Sequence, residues 1–236
     1  MVIWVFAGGG QSEIAGLVPF LNRHFNGCHF ERRTPVIKKI GPKPGVKSKG
    51  VGLGKTGCDL SRQIAKELDV ALRFGGCELI LVVDDLDCCC KEERRNLFLE
   101  TINKIPGAAS IPQVIALAAP EIESWIIADW DNTVAKHVDF RSCGKAMKHW
   151  LIKEKKIPFA APESFGEYDP KTKSCTKKLS DLIIEASVEY GNGYCYSKGT
   201  HTPRLLQEIN PKTVAKKCPL FKSFFLEVID ATKTGK

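Results

Sequence analysis

The sequence predicts an α/β fold, a doubly wound and mainly parallel sheet with a helical C-terminal subdomain. Two observations predict it. Along residues 1–140, short apolar runs typical of buried strands alternate with amphipathic helical patterns, the order that builds a parallel sheet covered on both faces. Along residues 141–236, lysine-rich sequence carries several short helical patterns, which favours a helical subdomain packed on the sheet.

The elements of residues 1–140 each have a signal. Apolar runs predict strands, and apolar residues at helical spacing predict helices. The predicted order is strand 2–8, helix 12–25, strand 28–37, helix 59–74, strand 78–85, helix 91–105, strand 112–120 and helix 121–137. Gly75-Gly76 and Pro106-Gly107 end two of the helices. Residues 38–57, rich in Gly, Pro and Lys, are predicted to form a loop.

Composition excludes a membrane-spanning class and leaves the cysteines open. The 236-residue chain has no apolar run of the roughly 18–20 residues that a membrane helix needs, and its N-terminus resembles a strand more than a signal peptide, so we expect a cytoplasmic protein. The ten cysteines include no C-x-x-C pair. We expect Cys88, Cys89 and Cys90 to be small apolar residues in a reducing compartment and not part of a disulfide framework, with a zinc or iron–sulfur site as the alternative.

The charge distribution predicts a polyanion partner. The net charge is +8, and residues 32–50 carry many basic side chains and no acidic one. Clustered cations attract nucleic acid by releasing its condensed counterions, although a solvated basic surface would give the same composition. The residues expected to contact a nucleic-acid backbone are Lys38, Lys39, Lys47, Lys49, Lys55, Lys198 and Arg204.

Ligands of such sheets bind outside the carboxyl ends of the strands, which selects three segments, "AGGGQS", "DDLD" and "APEIE". In the first, Gly8, Gly9 and Gly10 could present backbone N–H groups to a phosphate, or simply make a tight turn. The segment is not a dinucleotide fingerprint, because Glu13 occupies the third glycine position. The stretch "KGVGLGKTG" is not a phosphate-binding P-loop, because Lys49 stands at its first glycine position.

The acidic residues of the other two segments predict a divalent cation. Alternate side chains of a strand share a face, so Asp85 and Asp87 should point the same way, and Asp84 should point away and be structural. Two carboxylates suit Mg²⁺ or Mn²⁺, with water and phosphate completing the coordination, whereas a polar turn would need no metal. Glu121 is a candidate third ligand, although Glu121 and Glu123 would also complement the dipole of the following helix.

In their order and spacing, "FAGGGQS", the D-x-D of Asp85 and Asp87, and "PEIESWIIAD" resemble the Toprim fold. More closely, the chain resembles small prokaryotic Toprim-like proteins allied to the OLD-family nucleases, often met among mobile-element and phage-defence genes. The resemblance covers most of the chain. It implies a Toprim-like sheet, Mg²⁺ held by Asp85 and Asp87, cleavage of phosphodiester bonds in nucleic acid, and a companion ATPase or another protein of the same operon as partner.

The chain departs from the Toprim pattern at two positions. The glutamate that serves as general acid/base or metal ligand in Toprim enzymes aligns with Ala7, and the aspartate that follows the glycines aligns with Gln11. Glu121, or Glu13 one helical turn further along the chain, could supply the missing carboxylate. The alternative expectation is a catalytically degenerate Toprim-like module that binds nucleic acid or a partner protein without cutting.

Overall fold

The computed structural model describes residues 1–8, 10–34 and 55–234. Two short 3₁₀ helices, at Val134–Lys136 and Pro162–Ser164, lie among its longer elements. Those elements are, in chain order, β1 (Val2–Ala7), α1 (Gln11–His24), β2 (His29–Thr34), α2 (Gly57–Phe74), β3 (Leu79–Asp85), α3 (Lys91–Asn103), β4 (Gln113–Ala118), α4 (Glu123–Ala128), α5 (Gly144–Lys153), β5 (Tyr168–Asp169), β6 (Ser174–Cys175), α6 (Leu179–Tyr190), α7 (His201–Glu208), α8 (Pro211–Lys217) and α9 (Pro219–Thr234). No helix within these ranges is both long and apolar enough to cross a membrane.

The central sheet has four strands in the order β2-β1-β3-β4, and every neighbouring pair is parallel. Val5 of β1 pairs with Leu81 of β3, and Leu81 pairs in turn with Val114 of β4. The predicted α/β doubly wound class is confirmed. A separate two-stranded hairpin, β5-β6, is antiparallel.

Helices cover both faces of the sheet because side chains alternate along each strand. Trp4 and Phe6 of β1 point to one face, where they share a core with α2 and α3. Ile3 and Val5 point to the opposite face, where the core includes α1 and the helices from α4 to α9. All of β3 is buried, as expected for the centre of a parallel sheet.

The helices of residues 141–236 share the second core instead of forming one of their own. Phe221 and Phe224 of α9 pack on Trp125 of α4, with ring centroids 4.9 and 5.9 Å from the tryptophan ring. The α9 helix also packs against β4, and α7 packs against α1. The C-terminal helices are therefore continuous with the face of the sheet that carries α1.

The helix predicted at 121–137 is wrong in its length. It ends at Ala128, and a 3₁₀ turn replaces its second half. The Thr133 hydroxyl directs its one hydrogen toward the backbone carbonyls of Asp129, at 2.9 Å, and Ile126, at 3.2 Å, and Asn132 Nδ2 donates to Asp129 Oδ1. These side chains compete with the helical hydrogen bonds and turn the chain.

Gly8 ends β1 in tight contact with β3. Its N–H donates to Val83 O at 2.7 Å, which continues the sheet ladder one residue beyond the strand. A Cβ atom at this position would overlap Asp84 Oδ1 and lie 3.2 Å from Asp84 Cγ and 3.3 Å from the carbonyl oxygen of Lys55. Only glycine fits between these groups without displacing them.

We expect Gly8→Ala to lower the free energy of unfolding by about 1–3 kcal/mol, the usual cost of forcing extra atoms into a packed site. Gly76→Ala is the matched control, because a Cβ there meets nothing within 4 Å, and its effect should stay within about 0.5 kcal/mol. Urea-induced unfolding measures both. Equal losses in the two variants would show that the Gly8–Asp84 contact is not tight.

Candidate functional site at the carboxyl edge of the sheet

Asp84 is a buried structural residue at the carboxyl edge, the edge at which β1, β3 and β4 end. Its Oδ2 lies 2.6 Å from Arg94 Nη1 and accepts a hydrogen bond of 3.0 Å from the backbone N–H of Gly57, the first residue of α2. Burial raises the pKa of the Asp84 carboxyl to about 7, against the opposing effects of Arg94 and the Gly57 N–H. Asp84 therefore anchors α2 and α3 to the end of β3.

Asp85, the last residue of β3, faces the segment that leads into α4. Its Oδ1 accepts a 2.9 Å hydrogen bond from the backbone N–H of Ile122, the residue before that helix. The residue is 8% exposed. One oxygen of Asp85 thus orients the start of α4.

Asp87 does not follow the strand alternation used to predict its direction. β3 ends at Asp85, and Asp87 has a left-handed φ of 50°. Its backbone N–H donates to Pro120 O at 2.8 Å, and its Oδ1 lies 3.9 Å from Lys178 Nζ. The prediction that Asp85 and Asp87 share a face relied on strand alternation. That alternation does not reach Asp87, because the chain has already turned out of the sheet.

Glu121 is buried and held by the start of α6. Its Oε1 accepts from the backbone N–H of Ser180 at 2.6 Å, and its Oε2 accepts from Ser180 Oγ at 3.1 Å. Lys198 Nζ lies 3.4 Å from the same Oε2. Both carboxylate oxygens of Glu121 therefore already have partners within the protein.

Glu123, for which the sequence predicted helix-dipole complementation and a less well placed ligand than Glu121, belongs to the same polar network. It is fully buried, accepts a 2.9 Å hydrogen bond from Thr202 Oγ1, and lies 3.4 Å from Lys198 Nζ. Thr202 also bonds the hydroxyl of Tyr196 at 2.6 Å. Burial, with the nearby Glu123 carboxylate, raises the pKa of that tyrosine well above its usual value.

The acids of the carboxyl edge act as caps for helices that begin elsewhere in the sequence. Asp84 bonds the first N–H of α2, Asp85 the N–H before α4, and Glu121 an N–H in the first turn of α6. None of these three helices has a local side-chain cap. Glu163 does the same for α9, because its two oxygens accept from Leu220 and Phe221 N–H. Carboxylates placed here satisfy orphan N–H groups and complement helix dipoles.

The glycine segment offers less to a phosphate than predicted. The N–H of Gly8 is engaged by Val83 O, so it is not available to an anion. Gly9 lies outside the described residues, and Gly10 is the N-cap residue of α1. The Asp84 carboxyl beside Gly8 also disfavours an anion at that point.

The structure describes some of the remaining residues of the predicted site, and others lie outside the described ranges. Ala7 is buried at the end of β1, and Glu13 lies in α1 with its side chain outside the description. Lys55 is half-exposed and pairs with Asp59, and Arg204 is exposed on α7. The basic residues that lie outside the described ranges are Lys38, Lys39, Lys47 and Lys49.

The structure also forms a cluster that sequence spacing did not reveal, His137, Asp139 and His201. It is the one group of three His, Cys, Asp or Glu side chains in the described residues that could share an ion, with ligand atoms within 4.8 Å, and Asp85, Asp87 and Glu121 do not form such a group there. The separation of 62 residues between Asp139 and His201 hid it.

Hydrogen bonding argues against a metal at this cluster. His201 Nδ1 accepts the backbone N–H of Ser197 at 2.7 Å, so the neutral ring carries its proton on Nε2, which lies 3.2 Å from Asp139 Oδ2. A metal on Nε2 would compete with that arrangement, since ligating histidines normally donate through their other nitrogen. We interpret the cluster as a structural hydrogen-bonded group.

The cysteine prediction is wrong for one of the three consecutive residues. Cys88 forms a disulfide with Cys175 of β6, with their Cα atoms 5.2 Å apart. Cys89 is partly buried and Cys90 is exposed, and both are free thiols. The hairpin β5-β6 brings Cys175 to the site across 87 residues of sequence, a distance at which no local spacing rule applies.

The stability of the protein should depend on pH through Asp84. A carboxyl with a pKa of about 7 in the folded chain and about 3.9 in the unfolded chain favours folding at low pH, and that contribution is lost as pH rises from about 4 to about 7. We therefore expect the stability of the wild type, relative to Asp84→Asn, to fall over this interval by up to about 4 kcal/mol. Urea unfolding at half-unit pH steps measures the difference, and a flat or rising difference contradicts the assignment.

Lys198 should stabilise the fold through the two glutamates that it contacts. We expect Lys198→Met to cost about 2–3 kcal/mol, because Glu121 and Glu123 would keep their buried charges without this cation. Lys104→Met is the control, since Lys104 is 79% exposed and pairs with the exposed Glu100, and it should cost less than about 0.5 kcal/mol. Thermal or urea unfolding would test both, and equal small losses would show that Lys198 is dispensable.

Comparison with known proteins assigns the chain to a family without giving it a function. Comparisons with curated proteins and with solved structures give no match. A family profile described as a domain of unknown function, DUF4276, matches residues 91–229. That range covers more than half of the chain and includes Glu121, Glu123, Ser180 and Lys198 of the site. The chain therefore belongs to the DUF4276 family.

Proposed function

We propose that this protein cleaves phosphodiester bonds in nucleic acid with the help of Mg²⁺ or Mn²⁺, in the manner of the Toprim and OLD-type nucleases that its sequence resembles. One observation carries the proposal. Asp85 and Asp87 lie where β3 leaves the sheet, and both contact the segment that follows β4, through Ile122 N–H and Pro120 O. Acidic side chains at the carboxyl edge of a parallel sheet are well placed for a metal-dependent site.

The donor chemistry of the two aspartates fits a hard divalent cation. Mg²⁺ is commonly bound through one or two carboxylates, with water and substrate phosphate completing its coordination. Asp85 and Asp87 would hold the ion, and the side chain of Asp87 is partly exposed. When bound, the ion would activate a water molecule and neutralise charge on the phosphate.

Glu121 acts as a positioning residue in this proposal. Its two oxygens hold Ser180 and Lys198, and Ile122, the next residue along the chain, donates to Asp85. The contacts of Glu121 thereby fix the backbone that orients Asp85. Glu13 is the second candidate for the carboxylate that Ala7 lacks.

The cations of the site would hold the phosphate backbone. Lys198 is about one-third exposed beside the acids, and Arg204 is exposed on α7. Lys55 lies at the same edge, with its backbone carbonyl in contact with the position of Gly8. With a net charge of +8, these residues favour a polyanionic substrate. A cytoplasmic location, a role in phage defence and a companion ATPase complete the proposal.

Metal-dependent binding and cleavage test the proposal together. In Asp85→Asn/Asp87→Asn, each amide oxygen can replace the carboxylate as an acceptor, so the bond from Ile122 N–H can persist while the charge is lost. We expect Mn²⁺ affinity by calorimetry, and cleavage of labelled DNA and RNA, to fall by roughly 10–100-fold or more. Asp69→Asn/Asp131→Asn, at exposed acids that pair with Arg73 and Lys148, is the charge-matched control and should keep both.

Unchanged metal binding and cleavage in the Asp85→Asn/Asp87→Asn variant would contradict the proposal. Glu121→Gln and Glu13→Gln, assayed in parallel, identify which glutamate the reaction needs. Loss of cleavage with unchanged Mn²⁺ affinity assigns that glutamate to positioning or proton transfer.

A second candidate function is a non-catalytic module that binds nucleic acid or a partner protein. Two observations favour it: Ala7 stands at the position of the Toprim glutamate, and the Lys198 ammonium lies between Glu121 and Glu123. An internal ammonium supplies positive charge that a metal ion would otherwise provide. Nucleic-acid binding by fluorescence anisotropy, without measurable Mn²⁺ affinity, would select this function over cleavage.

A further inference from the structure

One short segment carries several contacts to the acidic edge. Residues 175–180, here called the strap, run from the end of β6 into α6. The strap begins at Cys175, bonded to Cys88, continues through Lys178, 3.9 Å from Asp87, and ends at Ser180, which donates two hydrogen bonds to Glu121. Three contacts spaced along the strap therefore hold it against the residues of the proposed site.

The disulfide joins the strap directly to the loop that carries Asp87. Cys88 is the next residue after Asp87, and both have left-handed backbone conformations, with φ of 60° and 50°. Gly166 packs over the bond, where a Cβ atom would lie 2.8 Å from Cys88 Sγ and 3.7 Å from Cys175 Sγ. The covalent link is thus built into the wall of the site.

The protein segment that precedes the strap has little structure of its own to hold it in place. Strands β5 and β6 contain two residues each, and Lys171 and Thr172 of their turn bond Asp169. Isolated two-stranded hairpins are at best marginally stable in water. Without the Cys88–Cys175 bond, the C-terminal end of the strap would be held by the buried Leu179 and by the Ser180–Glu121 hydrogen bonds. The part nearer Cys175 would be held by the half-exposed Lys178 and by the hydrogen bond from Thr176 N–H to Glu167 O.

We propose that the Cys88–Cys175 disulfide is a redox-controlled clasp, which holds the strap closed over Asp87 and Glu121 when oxidised and lets it open when reduced. A regulatory role for the clasp rests on the proposed function, because the clasp would control access to the acids that we propose bind and position the metal. Oxidation restricts access of a divalent cation and of a nucleic-acid phosphate to Asp87, and reduction restores it.

The opening reaction is a thiol–disulfide exchange with a dithiol reductant, either a small molecule or a protein. One thiolate of the reductant attacks Cys175 Sγ, the bond between the two sulfurs breaks, and Cys88 leaves as a thiolate that takes a proton. The second thiol of the reductant then displaces Cys175, so the reductant becomes a disulfide and the protein gains two thiols. Closing is the reverse exchange, with a small-molecule disulfide as the oxidant.

The experiment measures the clasp and the strap without metal or substrate. Oxidised and dithiothreitol-reduced wild type are denatured and alkylated, and the alkylated thiols are counted by mass spectrometry. With ten cysteines in the chain and two in the disulfide, we expect eight labelled thiols after oxidation and ten after reduction. Hydrogen exchange at the Ser180 amide, which donates to Glu121, reports strap docking, and we expect its protection to fall by about tenfold or more on reduction.

Matched variants separate the clasp from other thiols. Cys175→Ser should show low Ser180 protection under both conditions, whereas Cys195→Ser, at an exposed free cysteine, should switch like the wild type. If Cys175→Ser does not fold, the reduced wild type provides the same comparison. Ten labelled thiols after oxidation, or equal Ser180 protection in the two redox states, would overturn the clasp.

Mn²⁺ titration of both redox states then tests the clasp and the metal-dependent function separately. Tighter binding by about tenfold after reduction supports gating of the acids. A switch in Ser180 protection without Mn²⁺ binding in either state retains the clasp and refutes the metal-dependent function. Equal Mn²⁺ affinity in the two states, with the exchange switch present, retains the proposed function and refutes gating.

Discussion

The architecture of the site depends on buried carboxylates that accept hydrogen bonds from the backbone N–H groups of distant helices. Asp84, Asp85 and Glu121 hold the starts of α2, α4 and α6, so the acids at the carboxyl edge locate three helices relative to the sheet. The partly buried Glu163 holds the start of α9 in the same way. A helix start exposes donors that must be satisfied, and a carboxylate meets both the hydrogen bonds and the dipole. The same residues would be needed for the fold even if no reaction took place.

Because a carboxylate at a strand end can either cap a helix or bind a cation, its presence in a sequence does not by itself predict a metal site. A carboxylate that caps a helix and one that binds a cation both lie where positive charge converges, and the sequence pattern is the same for both. Lys198 adds to this difficulty, because its ammonium lies 3.4 Å from two buried glutamates and supplies a positive charge within the site. The side chain of Asp87 pairs with Lys178 at 3.9 Å, a longer contact than the hydrogen bonds that hold Asp84, Asp85 and Glu121.

Sequence periodicity predicted the order of strands and helices along the chain because each pattern is local. The positions of Asp84, Asp85 and Glu121 at one edge also followed, since parallel strands end together. The partners of these acids did not follow. Ser180 lies 59 residues from Glu121, Lys198 lies 77, and Cys175 lies 87 from Cys88, separations over which no helical or strand period operates.

The sheet pairing has a consequence for the region that the family profile matches. The region matched by the DUF4276 profile begins at residue 91, so it contains β4 but none of the other three strands of the central sheet. Its strand β4 pairs with β3, which lies outside the match together with Asp84, Asp85 and Cys88. A fragment of residues 91–229 would lack β3 and would expose the unpaired edge of β4, which favours aggregation over folding. In this chain, the unit that completes the central sheet is therefore larger than the region that the profile matches.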